Sequence, residues 1–236
     1  MKVKVSVIMP AYHVASYIDE AIQSVLRQKG IPFELLIADD ASTDDTWKRI
    51  QSYRHNPQIR AWRLDRNRGE GATRNFLIAR SRGPYISFCD ADDIMLSGHL
   101  KSLVRVLDRN PEIGVVYGDM AERSEDQDRL LRRSLGPTQT WDLIDGSISH
   151  GGTLVRKSLI RKIGGYRPQF RFLGDVDLFL RLSEITKFRH LNGKPLYLYR
   201  RRPGALSDQP KEKWIDVGRR ILGDAILRRY QIHFQW

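Results

Sequence analysis

The distribution of apolar and polar residues in the first half of the chain predicts alternating strands and helices. Short apolar runs at residues 3–9, 33–38, 59–64, 84–89 and 113–117 are bounded by Pro, Gly or Asp, as buried strands are. Between them, residues 16–29, 44–53, 72–79 and 97–107 carry apolar side chains at helical spacing. We expect Ser16, with Asp19 three residues later, to cap the first helix. The alternation predicts an α/β fold with an open, mostly parallel twisted sheet and helices on both faces.

The pattern changes after Gly118. Residues 119–140 are polar and aperiodic, and we predict a loop there. Further on, the sequence predicts a strand at 153–155, helices at 157–163 and 175–184, and extended segments near residue 188 and at 196–199. From Lys211 onward, apolar residues share one helical face and basic residues the other. We therefore predict one domain at residues 1–210 and a C-terminal basic amphipathic helix at 211–236.

The composition excludes several classes of protein. With 41% hydrophobic and 9% aromatic residues, 236 residues can bury a full core, which argues against disorder. The longest segment free of charged residues, 5–18, is too short to cross a membrane, and the N-terminus lacks the pattern of a signal peptide. Cys89 is the only cysteine, so a disulfide framework or a Cys-rich zinc site is excluded. We expect a cytoplasmic protein.

The chain is basic, with 40 Lys and Arg against 28 Asp and Glu and a net charge of +12. This charge suits an anionic ligand such as a nucleotide, nucleic acid, acidic glycan or anionic lipid, but a solvated basic surface explains it equally well. The basic residues are dispersed and no aromatic-interleaved basic motif occurs, so we expect no nucleic-acid partner. Charge alone does not decide the function.

Polar clusters follow three of the predicted strands, at 10–12, 39–40 and 90–93. Ligands of parallel sheets bind beyond the carboxyl ends of the strands, so these clusters form a candidate site. A single Asp in such a place is often only a helix cap. The sharpest cluster is Asp90-Ala91-Asp92-Asp93, because three carboxylates in four residues repel one another unless a cation lies between them. Mg²⁺ binds one or two carboxylates together with phosphate oxygens, so the cluster predicts a site for Mn²⁺ or Mg²⁺.

Four segments in this order give the chain a family resemblance. They read VSVIMPAY, IADDASTDDT, RNRGEGATRNFLIARSRGPYISFCDADD and GDVDLFLRL, and they span about residues 3–182. Together they resemble the family 2 glycosyltransferases, which have the GT-A fold and transfer sugars from nucleotide diphosphates with inversion. The late Gly174-Asp175 pair is similar to that of the spore-coat polysaccharide type. The resemblance implies a nucleotide-binding half at about 1–118 and an acceptor-binding half at about 119–210.

The resemblance also implies roles for individual residues. Asp175 is expected to be the catalytic base, although it could instead cap the helix that follows. Asp92, with Asp90, is expected to hold the metal, while His150 and Gly174 are expected to lie near the acceptor. Tyr12 is expected to stack on the base and Asp40 to accept a hydrogen bond from N3 of uracil. The implied nucleotide-binding residues are Pro10, Ala11, Tyr12, Asp39, Asp40, Arg74, Asp90, Ala91 and Asp92.

The chain departs from the family pattern in two places. Gly174 replaces the commoner Glu, and the segment Tyr199-Arg200-Arg201-Arg202-Pro203 lacks the His that often follows Tyr-Arg. Any contribution of that segment to the diphosphate or the metal is therefore left open, although its arginines could supply positive charge.

The sequence therefore predicts a metal-dependent inverting enzyme. It would move one sugar from a UDP-sugar to a hydroxyl of a glycan or lipid-linked acceptor in bacterial polysaccharide or glycoconjugate synthesis. The alternatives are a metal-dependent nucleotidyltransferase, disfavoured because no glycine-rich phosphate loop follows the first strand, and a non-catalytic polyanion binder. The basic tail helix could pack on the domain or lie peripherally on the inner face of a membrane. The oligomeric state is not predicted.

Overall fold

The structure, a computed structural model, describes residues 2–124, 127–133, 148, 150–202 and 210–229. Its elements alternate between strand and helix through the first half of the chain, as the apolar pattern predicts. In chain order they are β1 (Val5–Ala11), α1 (Ile18–Leu26), β2 (Phe33–Asp39), α2 (Thr46–Ser52), β3 (Ile59–Arg63), α3 (Glu70–Arg80), β4 (Tyr85–Phe88), β5 (Ile94–Met95), α4 (His99–Arg109), β6 (Ile113–Gly118), β7 (Met120–Ser124), β8 (Gln127–Arg133), β9 (Thr153–Arg156), α5 (Lys157–Lys162), α6 (Gly174–Ser183), β10 (Lys187–Leu191), β11 (Tyr197–Arg201) and α7 (Lys211–Arg229).

The central sheet has seven strands in the order β10-β6-β9-β4-β1-β2-β3. Strand β1 is parallel to β2 and β4, β2 is parallel to β3, and β10 is parallel to β6. Only β9 runs against its neighbours, β4 and β6. The predicted α/β fold with a mostly parallel sheet is therefore confirmed. Because β1, β2 and β4 are adjacent and parallel, their carboxyl ends meet at one edge, where the polar clusters follow them.

A second sheet of four strands, in the order β5-β11-β7-β8, was not predicted. The prediction of a loop over residues 119–140 is wrong for β7 and β8, which form an antiparallel pair. Strand β7 also pairs with β11, far away in sequence, and such long-range pairing overrides a weak local pattern. Residues 134–140 of the predicted loop lie outside the described part of the chain.

The predicted cap at Ser16 is also wrong. Helix α1 begins at Ile18, its N-cap position is Tyr17, and no side chain caps it. Instead, the backbone N–H groups of Tyr17 and Ile18 both donate to the carbonyl of Val14, at 2.9 and 3.0 Å. A tight turn of the backbone thus starts this helix without help from a side chain.

Two apolar cores lie on the two faces of the central sheet, because side chains of a strand alternate in direction. Val5, Val7 and Met9 of β1 join the core that contains α1 and α4. Ile8 of the same strand joins the opposite core, which contains residues of α3, α6 and α7. Helices therefore pack on both faces of the sheet, as the sequence predicts.

Helix α7 packs its apolar face on the second of these cores. Ile221 and Ala225 are buried and Val217 packs beside them, while the ring of Trp214 lies 6.4 Å from that of Phe172. The apolar side of the basic tail helix is thus occupied by the domain. Within the described residues, no helix has the length and apolar character needed to cross a membrane.

A buried ion cluster fixes α6 against its surroundings. The carboxylate of Asp177 is fully buried and accepts hydrogen bonds from Arg167 and from Arg181, the latter at 2.7 and 3.0 Å. Arg181 also donates to the carbonyls of Ile163 and Gly165, at 2.9 and 2.7 Å. The carboxylate therefore holds two arginines and, through one of them, the turn after α5.

We expect Asp177→Ala to lower the free energy of unfolding by about 3–5 kcal/mol, because it leaves the buried Arg181 without its counter-ion and leaves Arg167 with Asp224 alone. Asp216→Ala, which removes an exposed i,i+4 pair with Arg220, is the matched control and should change it by about 0.5 kcal/mol or less. Urea denaturation followed by circular dichroism measures both. Equal losses in the two variants would contradict the structural role of Asp177.

Candidate functional site

A cavity of about 400 Å³ opens at the edge where β1, β2 and β4 end. It is lined by residues from each of the three polar clusters singled out from the sequence, and their approach follows from the parallel pairing of the strands. The predicted residues that line it are Pro10, Ala11, Tyr12, Asp40, Asp90, Ala91 and Asp92. Asp39, Arg74, His150, Gly174 and Asp175 are not among its lining residues.

One side of the cavity combines an exposed aromatic ring with a fixed carboxylate. Tyr12 is 45% exposed and stacks on His13, with 4.0 Å between ring centroids. The carboxylate of Asp40 is buried and accepts hydrogen bonds from the backbone N–H groups of Arg68 and Gly69, both at 2.9 Å. These bonds hold the loop between β3 and α3 against the cavity and fix the orientation of Asp40.

Asp39 lies behind this wall and is fully buried. One of its oxygens accepts a hydrogen bond from the N–H of Ser42 at 3.2 Å, and the other lies 3.4 Å from Nε of Arg63. Asp39 therefore shapes the turn after β2, while its neighbour Asp40 faces the cavity.

The opposite side of the cavity is built around the guanidinium of Arg74, which is 4% exposed. It donates to Glu70 at 2.5 Å and to Asp90 at 2.7 Å. Burial disfavours the charge of Arg74, but the carboxylates of Glu70 and Asp90 outweigh burial and raise its pKa. Arg74 is thus a permanent cation behind the two acidic side chains, which both line the cavity.

The pKa of Glu70 is raised by its surroundings. Burial raises its pKa to about 7, opposed by Arg74 and reinforced by the charges of Asp90, Asp175 and Asp92. Four carboxyl groups therefore share this region, and near neutral pH one of them takes up a proton.

The Asp90–Asp93 segment gives its three carboxylates different partners. Asp90 pairs with Arg74, and Asp92 pairs with Nε of Arg202 at 2.6 Å. The pKa of Asp92 is raised, because the effect of burial outweighs the opposing charge of Arg202. Asp93 is buried and accepts hydrogen bonds from the hydroxyl of Tyr197 and the N–H of Arg200, both at 2.8 Å. Asp93 therefore anchors the segment to β11 and does not face the cavity.

Asp175 is the second residue of α6 and is half-buried. The alternative that it caps this helix is wrong, because Leu173 occupies the N-cap position. Burial raises the pKa of Asp175, while the charge of Arg74 lowers it and that of Asp90 adds to the rise. The carboxylate thus lies close to the charged groups behind the cavity. Gly174 precedes it at the start of the helix.

His150 is buried beneath Asp90. Its Nε2 lies 2.5 Å from the hydroxyl of Tyr166, and its Nδ1 lies 4.0 Å from a carboxylate oxygen of Asp90. Burial and the charge of Arg74 both lower its pKa, so the ring is neutral near pH 7. The acceptor role of His150 stays a prediction, and its position behind the cavity wall gives it no direct support.

Six residues of the cavity wall were not singled out from the sequence, namely His13, Val14, Asn67, Gly69, Glu70 and Arg171. A seventh, Arg202, belongs to the segment whose contribution the sequence left open. Asn67, Gly69 and Glu70 belong to the motif RNRGEGATRN, and that motif could have drawn attention to them. Arg171 and Arg202 are distant in sequence from the strand-end clusters, and only the folded chain shows that they reach the cavity.

The chain matches a known family and several known proteins. The profile of Glycosyl transferase family 2 covers residues 6–164. Chondroitin synthase of Pasteurella multocida is 27% identical over 190 residues, which are 80% of this chain and 20% of that protein. The first curated relatives that the chain matches are much longer, and it spans about a fifth to a quarter of their length.

Solved structures with a similar fold include two that contain nucleotide sugars. S. aureus TarS 1-349 in complex with UDP-GlcNAc has a TM-score of 0.81 and 23% identity, over 95% of this chain and 66% of that one. The mannosyltransferase PcManGT from Pyrobaculum calidifontis, in complex with GDP-Man and Mn²⁺, has a TM-score of 0.68 and 17% identity, over 100% of this chain and 66% of that one. These similarities confirm the fold.

The raised pKa of Glu70 makes a prediction about stability and pH. In the unfolded chain this carboxyl ionises near its ordinary pKa. Between about pH 4.5 and 7 the folded protein therefore binds a proton that the unfolded chain has released. The free energy of unfolding of the wild type consequently falls as the pH rises through this range. Glu70→Gln removes this loss. The stability of Glu70→Gln relative to wild type should rise from pH 5 to pH 8, measured by urea denaturation. Glu112→Gln, at an exposed position, controls for the substitution itself. A difference that is independent of pH would contradict the raised pKa.

Proposed function

The chain belongs to glycosyl transferase family 2, and from this premise we propose that it transfers a single sugar from a nucleotide diphosphate sugar to a hydroxyl group, with inversion at the anomeric carbon. The observation that carries the proposal is the cavity itself. One side presents an aromatic ring and a carboxylate that is fixed as a hydrogen-bond acceptor. The other side presents carboxylates that are paired with arginines, and both sides face the same space at the strand ends.

We assign the side with Tyr12 and Asp40 to the nucleobase, and uracil is the base that fits it best. The exposed ring of Tyr12 offers a stacking face, and such stacking contributes about 1–3 kcal/mol per base in proteins that bind single-stranded nucleic acids. The oxygens of Asp40 each accept one backbone hydrogen bond, and a carboxylate oxygen can accept two. The remaining capacity suits the N3–H of uracil, whereas the N3 of cytosine carries no hydrogen. The UDP-GlcNAc bound by TarS accords with this choice.

Asp175 is the base in this proposal. Its carboxylate lies near Arg74 and Asp90, and its raised pKa brings it closer to the range in which a carboxylate accepts a proton efficiently. It would take the proton of the acceptor hydroxyl as that oxygen attacks the anomeric carbon and the diphosphate leaves. Arg74 and Arg202 would offset the negative charge that grows on the leaving diphosphate.

The two carboxylates that the sequence predicts as metal ligands are already paired with arginines in this arrangement. Mn²⁺ or Mg²⁺ would be held by Asp92 and Asp90, and would supply positive charge to the leaving diphosphate. Both carboxylates are already paired with arginines, at 2.6 and 2.7 Å. Within the described residues, no group of three His, Cys, Asp or Glu side chains is arranged to hold a metal. These residues do not fit the cation as they stand, so no step here is assigned to it.

We propose the acceptor from the relatives of the chain, and the location of the enzyme from the residues of α7. A glycan or lipid-linked acceptor accords with the polysaccharide synthases among the relatives. Peripheral contact of α7 with a membrane would have to use its basic residues and the exposed Ile215, because its apolar face packs on the domain.

The assignment of the nucleobase predicts selective binding of UDP. By isothermal titration calorimetry, UDP should bind at least several-fold more tightly than CDP, because the N3 of cytosine carries no hydrogen and a desolvated acceptor left without its donor costs about 1–3 kcal/mol. Tyr12→Ala should weaken UDP binding about tenfold or more without changing stability, since the ring is exposed. Ile215→Ala, which removes another exposed apolar side chain away from the cavity, should leave binding unchanged. Equal affinities for UDP and CDP would contradict the uracil assignment.

The assignment of Asp175 as the base predicts that a substitution there lowers turnover and leaves UDP affinity nearly unchanged. Asp175→Asn keeps the size of the side chain but removes the proton acceptor, so transfer should fall by roughly 10²-fold or more. UDP affinity should stay within about threefold, because in this proposal the carboxylate faces the acceptor hydroxyl and not the nucleotide. UDP-sugar hydrolysis serves as the activity while the acceptor is unknown. Asp216→Asn, on the exposed side of α7, is the control. Full turnover in Asp175→Asn would remove this residue from the mechanism.

A further inference from the structure

The guanidinium of Arg202 lies at the position where a cation would be expected. Its Nε is 2.6 Å from Oδ2 of Asp92, and both residues line the cavity. The two side chains are only 16% and 21% exposed, so the pair is largely shielded from solvent. Shielding strengthens the attraction, because water screens a partly buried pair less than an exposed one.

Arg202 is held in this place by its surroundings. It follows β11 directly, and the backbone of that strand is tied to the Asp90–Asp93 segment through Asp93. Its guanidinium carbon lies 5.3 Å from the ring centroid of Tyr17, a distance that permits a cation–π contact. The strand end, the carboxylate and the ring together fix the arginine toward the cavity.

The neighbouring carboxylate has its own arginine. Asp90 pairs with Arg74 at 2.7 Å, so each of the two carboxylates expected to bind a metal already has a cationic partner. A divalent ion at this place would have to compete with at least one guanidinium that already forms a short, shielded contact with its carboxylate.

We propose that Arg202 takes the place of a divalent cation in this enzyme, neutralising Asp92 and binding the diphosphate of the donor, so that nucleotide binding does not require a metal. A guanidinium suits this task, because its planar set of five donors can bond a carboxylate and a phosphate at once and its charge is independent of pH. This inference rests on the proposed function, since it concerns the diphosphate of the nucleotide sugar.

The test measures UDP affinity by calorimetry with the full chain, in EDTA and in Mn²⁺. The variants are Arg202→Ala, Arg202→Lys and Arg201→Ala. Arg201 is the matched control, because it is the adjacent arginine, is 63% exposed in its side chain and pairs with Glu122 instead of facing the cavity. Thermal unfolding of each variant verifies that it is folded, and Arg202→Lys tests whether the positive charge alone restores binding. A separate titration with Mn²⁺, without nucleotide, measures metal binding directly.

We expect wild type and Arg201→Ala to bind UDP with the same affinity, within about twofold, in EDTA and in Mn²⁺. Arg202→Ala should lose at least tenfold in EDTA, and Arg202→Lys should recover part of that loss. Arg202→Ala should also bind Mn²⁺ more tightly than wild type, because Asp92 is released, and Mn²⁺ should then restore some of its UDP affinity.

Wild-type binding of UDP that needs Mn²⁺ and disappears in EDTA would overturn the inference while leaving the proposed function intact. An Arg202→Ala variant that is folded and binds UDP as wild type does in EDTA would overturn it as well. If wild type bound none of UDP, CDP and GDP in either buffer, the proposed function itself would fail, and this inference would fail with it.

Discussion

The ion pairs of the buried Arg74 are the interactions on which the site depends. The end of β4 and the starts of α3 and α6 bring Glu70, Asp90, Asp92 and Asp175 into one region, where each negative charge raises the free energy of the others. Unpaired carboxylates in such a place would cost several kcal/mol each. Arg74 pairs with Glu70 and Asp90, and Arg202 pairs with Asp92, while Glu70 itself takes up a proton near neutral pH. The site can therefore retain its acidic side chains in a folded protein and still accept an anionic ligand.

The topology of the sheet explains why these groups meet. Parallel strands β1, β2 and β4 deliver Tyr12, Asp40 and the Asp90–Asp93 segment to one edge. The second sheet contributes to the cavity wall, because Arg202 follows β11 directly and β11 is joined to the segment through Tyr197 and Asp93. Membership in glycosyl transferase family 2 accords with the division that we propose, with the nucleobase on one side of the cavity and the diphosphate on the other.

Sequence patterns predicted the helices and strands that local residue spacing specifies, and missed the contacts between residues far apart in the sequence. Helical spacing and buried apolar runs gave the alternating elements, and the strand-end rule placed Tyr12, Asp40 and Asp92 on one cavity. The β7–β8 pair escaped prediction because its strands are specified by pairing with β11, not by their own residues. The contact between Arg202 and Asp92 escaped for the same reason, since 110 positions separate the two residues. The carboxylate cluster indicated a need for positive charge, but the sequence alone could not show that arginines meet it.

The most direct test of the account is a crystal structure of the protein with a UDP-sugar, grown in the presence of EDTA. The account predicts the uracil ring stacked on Tyr12, its N3 within hydrogen-bonding distance of Asp40, and the diphosphate in contact with the guanidinium of Arg202. The anomeric carbon should then face Asp175. A nucleotide bound outside this cavity, or bound in it with the diphosphate turned away from Arg202, would contradict the account.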